Sequence, residues 1–144
     1  MQRTPDYAKH YETLVAVITH LAVNKWAARQ PARIAKDLSI GDVDSIRAVL
    51  KTFKGLFRES EGASKDGSDP LYSPHLRHSR GLILDSDQER PPLDPETLFA
   101  LLKLVSDKSI QQTQLAAALR IAALTSIISL TVAAASLFVA LHKV

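Results

Sequence analysis

Cysteine is absent from this chain, which excludes disulfide bonds, thiolate catalysis and cysteine-based metal sites. The first ten residues are polar and lack the apolar core of a signal peptide, so the soluble part is expected to stay in the compartment where it is made. Charge is nearly missing from one region. From Gln111 to Val144 only Arg120 and Lys143 are charged, and there is no acid. The preceding 110 residues therefore hold 16 of the 18 basic side chains and all 15 acids, a net charge of +1. A basic chain overall does not by itself imply nucleic-acid binding when the excess is divided in this way.

What fills the uncharged region is apolar. Ile121 to Leu141 runs for 21 positions without charge, Pro, Gly, Asn or Gln. At about 1.5 Å per residue it reaches roughly 30 Å, the thickness of a bilayer hydrocarbon core. Arg120 at one end and His142 and Lys143 at the other have side chains that snorkel to an interface. The expectation is a single C-terminal transmembrane helix (span 121–141) within a stalk-and-anchor region 109–144. The alternative, a central helix of a soluble bundle, would need more protein around it than so short a chain supplies. Lys103, Lys108 and Arg120 precede the span against Lys143 after it, so the positive-inside bias places the N-terminal domain in the cytoplasm and makes the protein tail-anchored. Small residues recur every fourth position: Ala118, Ala122 and Ser126 on one line, Thr125, Ser129 and Ala133 on another. Such lines let helices approach closely, so a homo-oligomer through the span is expected, although an Ala/Ser-rich segment also produces these spacings by composition alone.

In the soluble part, Thr4-Pro5-Asp6 signals a helix start, with Thr4 as the cap. Tyr7, Tyr11, Leu14, Val15, Ile18, Leu21, Ala22 and Trp26 keep helical spacing and predict a helix to about Ala28. Pro31 opens a second helix with Ile34, Ala35 and Leu38 inward, Ser39-Ile40-Gly41 turns, and Asp42 caps a third helix ending near Phe53. A short strand over 55–58, a turn over 60–70 and a returning strand over 71–77 follow, with Pro74 confined to an edge or bulge. Residues 81–93 read as an acidic, Pro-containing linker. Asp94-Pro95-Glu96 starts a fourth, amphipathic helix (94–108) that either packs on helix one or lies on the bilayer. A break or bend is expected at Asp107-Lys108-Ser109.

Helix, helix-turn-helix, then hairpin is the order of a winged helix domain. The residues PARIAKDLSIGDVDSIRAVLKTFKGLFRES followed by LYSPHLRHSR resemble that superfamily, and residues 1–80 are assigned to it. The fold class expected is therefore mainly α: a winged-helix domain with a two-stranded β-hairpin wing, an amphipathic fourth helix and one transmembrane helix. The resemblance implies either a DNA reader, with the third helix in the major groove, or a protein-interaction module.

Between Lys25 and Arg58 there are eight basic residues against three acids. Arg33, Lys36, Arg47, Lys51, Lys54 and Arg58, joined by Arg77 (with Arg80) on the second strand, form a candidate face for nucleic-acid phosphates or anionic lipid headgroups; a solvated surface is the plain alternative. Asp42 and Asp44 stand where a recognition helix meets base edges. Carboxylates there repel phosphates and accept only from cytosine, which disfavours sequence-specific reading. His75 and His78 on a strand point to opposite faces, and His10 and His20 fall about 80° apart on a helix, so no metal site is expected. With no G-x-S-x-G and no Gly-rich phosphate loop, no catalytic residue or cofactor is assigned. The leading expectation is a membrane-tethered adaptor that recruits a cytoplasmic protein partner. A membrane-bound transcription regulator is the second reading. The third is a small oligomerising membrane effector gated by its cytoplasmic domain.

Overall fold

A computed structural model describes residues 5–60, 69–78 and 91–141 of the chain, with side chains as far as Phe138 and excepting His78. It divides into two compact units, residues 1–109 and 110–144. The described elements are α1 (Tyr7–Val23), α2 (Pro31–Asp37), α3 (Val43–Thr52), β1 (Phe57–Glu59), β2 (Tyr72–Pro74), α4 (His75–His78) and α5 (Pro95–Leu141).

Local chemistry sets most of these boundaries. The cap of α1 is Asp6, not Thr4: its carboxylate accepts from the Lys9 N–H at 2.9 Å. The helix ends at Val23, five residues short of the expected limit, because Asn24 leaves helical geometry and donates its backbone N–H to His20 O. Pro31 opens α2 at its first turn. Its exit is a Schellman turn, with Ile40 N–H donating to Ala35 O at 2.8 Å and Ser39 N–H to Lys36 O at 3.1 Å. The left-handed residue in that turn is Ser39, at φ 57°, and not the nearby Gly41. Asp42 caps α3 as expected, accepting from the Asp44 N–H at 2.9 Å.

β1 and β2 pair antiparallel, with Phe57 opposite Pro74 and Glu59 opposite Tyr72. Pro74 lies on the edge-permitted last position of its strand. The returning strand is shorter than expected: it stops at Pro74, and His75 to His78 form a helical turn. Arg29 adds a bridge on the other side of Tyr72, N–H to O at 3.0 Å and O to N–H at 2.8 Å.

The core of residues 1–109 gathers Leu14, Val17, Ile18 and Leu21 of α1, Ile34 and Ala35 of α2, and Ile46, Val49 and Leu50 of α3. Phe53, Phe57 and Tyr72 close it, with Tyr7 edge-on to Phe53 at 4.8 Å between ring centres. Leu101 and Val105 of α5 belong to this same cluster, with Leu98 and Leu102 packed against it. Of the two alternatives for residues 94–108, packing on the domain is the one found. Asp94 caps that stretch, accepting from the Thr97 N–H at 2.8 Å and from Thr97 Oγ1 at 2.9 Å. The expected linker also needs correction at its end. Leu93 is buried and its N–H donates to Ala22 O at 2.9 Å, so residues 91–93 are part of the domain; residues 81–90 lie outside the described chain. No break interrupts the helix at Asp107–Ser109, since α5 runs unbroken to Leu141.

In the second unit every described side chain from Thr113 to Phe138 is exposed. This is the one helix among the described residues that is long and apolar enough to cross a membrane.

Candidate functional site: a divided basic surface

The fold distributes the predicted basic residues over five different environments. Lys51, Lys54 and Arg58 come together. They line a cleft of about 280 Å³ with Leu50, Phe57, Glu59, Tyr72 and His75. The last turn of α3 supplies Lys51, the turn after it supplies Lys54, and β1 supplies Arg58. The wall opposite is held by His75 Nε2, 3.0 Å from Lys54 O, and by Tyr72, whose hydroxyl donates to Glu59 Oε2 at 3.3 Å. Burial, then the neighbouring Glu59 carboxylate, pushes the Tyr72 hydroxyl up to about 12, so it is a neutral donor throughout the physiological range. The cleft therefore offers cations at its rim and one carboxylate among them.

Arg33 lies elsewhere, in a second cleft of about 370 Å³ with Trp26, Ala28, Arg29, Gln30 and Leu71. Lys36 is exposed and lines neither cleft.

Arg47, the first cation of α3, is committed to carboxylates. Its guanidinium donates to Asp44 one turn earlier and, through Nε and Nη2, to Asp69 at 2.8–3.2 Å. These bonds raise the Arg47 pKa above its ordinary value, and the hydrogen bond from Arg47 holds the Asp69 carboxyl below its own. A phosphate approaching the start of α3 meets this neutralised cluster.

Arg77 is a correction. Expected on the second strand as part of the basic face, it sits in α4 and is only 2% exposed. Its Nη1 donates to Leu21 O and Asn24 O, both at 2.8 Å, and its Nε to Pro91 O at 3.0 Å. Two of these acceptors are carbonyls at the C-terminal end of α1, which have no partner within the helix and carry its partial negative charge. Arg77 thus fastens α1 to the segment leading into α5. Burial lowers its pKa. Arg80 lies outside the described residues.

The histidines do not converge. His10 faces the Phe53 ring edge-on, whereas His20 sits 3.4 Å from Asp37. Burial lowers the pKa of His20, against the pull of Asp37, and the nearby Arg29 charge adds to the lowering. No group of three metal-ligating side chains occurs among the described residues.

On the apolar helix, Ala122, Ser126, Ser129 and Ala133 come together with Thr125 and Leu130 along one shallow groove; Ala118 does not line it. The two small-residue lines thus merge on one face. Thr125 Oγ1 donates to Ile121 O at 2.9 Å, Thr131 Oγ1 to Ile128 O at 2.7 Å and Ser136 Oγ to Val132 O at 2.8 Å. Hydroxyls bonded to their own helix are tolerated in lipid without a second chain.

Trp26, expected on the apolar face of helix one, belongs to no helix and is 40% exposed, and the pairing of Arg47 with Asp69 across a turn has no counterpart in the sequence reading. No spacing signal links residues 22 positions apart. A protein-family scan, the curated proteins and the solved structures all yield no match to this chain.

Proposed function

We propose that this protein is a membrane-tethered adaptor: a winged-helix-like domain in the cytoplasm recruits a partner protein, and residues 121–141 anchor the assembly in the bilayer. The observation that carries this reading is the capture of Arg47 by Asp44 and Asp69. In a DNA reader of this element order, the start of the third helix supplies the side chains that touch base edges. Here that turn presents Asp42, Asp44 and a guanidinium already engaged, a surface suited to a protein partner. Burial of Arg77 removes a further cation from any phosphate-binding face.

The apolar helix supports the tether. Membrane lipid is its first partner, and the merged small-residue face supports a homo-oligomer within the bilayer. The test is purification of the full chain from membranes in mild detergent, with mass spectrometry of what accompanies it, beside a DNA-shift titration at physiological salt. Co-purification of a soluble protein in stoichiometric amount is expected, with no saturable shift. A salt-dependent shift without any companion protein overturns the reading in favour of a membrane-bound regulator.

A further inference from the structure

Trp26 is the single tryptophan of the chain, and it stands just beyond α1 rather than in the core. Its backbone N–H donates to Asn24 Oδ1 at 2.9 Å, and Lys25 Nζ lies 5.5 Å from the ring centre. Beside it opens the 370 Å³ cleft whose walls include Arg29, Arg33 and Leu71. That volume suits a small ligand or a few side chains of a peptide. Arg29 is bridged through its backbone to Tyr72, and α2 starts at Pro31 beside the cleft.

The cleft is rich in donors. Arg29 reaches Asp37 through Nη2 at 3.5 Å, yet its buried Nε has no hydrogen-bond partner, the one such side-chain atom among the described residues. The Arg33 side chain is exposed and makes no ion pair among them. Arg29 and Arg33 together give the cleft a positive lining with no carboxylate among its described residues, which suits a ligand carboxylate. Guanidiniums bind carboxylates through two parallel hydrogen bonds, while the Trp26 ring and Leu71 offer apolar contact in the same cleft. Tryptophan and arginine are also the residues that dominate binding energy at protein interfaces.

We propose that this cleft docks an acidic peptide segment of the partner protein, one carrying a carboxylate next to an apolar side chain. The proposal rests on the adaptor reading and names the contact through which it operates. A flat headgroup surface does not enter a concave cleft. A stacked nucleobase would compete with Lys25 for the ring.

The sole tryptophan makes the test direct. The full chain in lipid nanodiscs is titrated with an acetylated, amidated hexapeptide of alternating glutamate and leucine while Trp26 emission is followed. The same peptide with glutamine for glutamate, inorganic phosphate and adenosine monophosphate are titrated alongside. A saturable change with the acidic peptide is expected. Binding about tenfold weaker is expected for the glutamine peptide and for Arg33→Ala, the effect of losing a charge-assisted hydrogen bond. Absence of a saturable change, equal binding of both peptides, or no effect of Arg33→Ala overturns the proposal. Tighter binding of phosphate or the nucleotide also overturns it, in favour of a phosphate pocket. A protein that co-purifies equally well with Arg33→Ala sinks the cleft while leaving the adaptor reading intact. Specific peptide binding with no companion protein in membranes does the reverse.

Discussion

The two stretches of α5 share one unbroken helix and opposite solutions for their apolar side chains. Between Pro95 and Ser109, Leu101 and Val105 are buried in the domain core while Lys103, Asp107 and Lys108 stay exposed. From Ile121 to Phe138 leucines, isoleucines and valines are exposed all round, with no polar side to the helix apart from small hydroxyl residues. The first pattern suits a protein surface, and the second belongs to a helix long and apolar enough to cross a membrane. Helix formation is common to both; only the distribution of apolar side chains around the axis tells them apart.

The sharpest way to break the contrast is truncation. A fragment of residues 1–109 keeps the core turns of α5 and is expected to unfold cooperatively. A fragment of residues 1–93 lacks Leu101 and Val105 and should lose roughly 4 kcal/mol or more, the sum of two deleted core side chains. Denaturant unfolding followed by circular dichroism checks this, and equal midpoints would refute the assignment of α5 to the core.

Single substitutions sharpen it further. Leu101→Ala should cost the 1–109 fragment about 2–5 kcal/mol, whereas Leu130→Ala in the full chain should leave the domain's unfolding unchanged. Arg77→Met should cost about 2 kcal/mol, since three buried or half-buried carbonyls lose a charged donor. Hydrogen exchange should rise first at Leu93, whose N–H depends on the same junction. If exchange rises uniformly instead, Arg77 is not a local fastener.

The smallest expected effect is pH dependence. Burial lowers the His20 pKa in the folded domain, so the unfolded chain binds a proton more readily as pH falls. The stability contributed by neutral His20 is complete above its unfolded value of 6.5 and is lost as pH falls below that toward the folded value. The 1–109 fragment should therefore unfold at lower denaturant at pH 5 than at pH 7.5, and His20→Gln should shrink the difference. Asp69, with its lowered pKa, acts only in a more acidic range, below about 3.8. An unchanged difference in the variant would assign the effect to another group.

The elements were legible where local chemistry decides them. Pro31 and the Asp42 cap mark the starts of α2 and α3, and periodic apolar residues mark their buried faces. The end of α1 was not legible, because Trp26 continues the helical spacing while Asn24 turns the chain away. The second strand was overextended for a related reason: Leu76 and Arg77 alternate as a strand would, yet the guanidinium is drawn inward by α1 carbonyls distant in sequence.

The same division applies to the candidate site. Residue type alone marks the basic strip, but its fate depends on partners brought from afar. Asp69 occupies Arg47, three carbonyls bury Arg77, Lys36 stays in solvent, and the other four cations of the strip fall into two clefts. What the sequence by itself determined is the apolar span and the starts of α2, α3 and α5, because hydrophobic length and capping act within a few residues. Only the tertiary structure decided which charges remain at the surface and that α5 begins inside the core, because ion pairs and side-chain burial join residues that no local pattern connects.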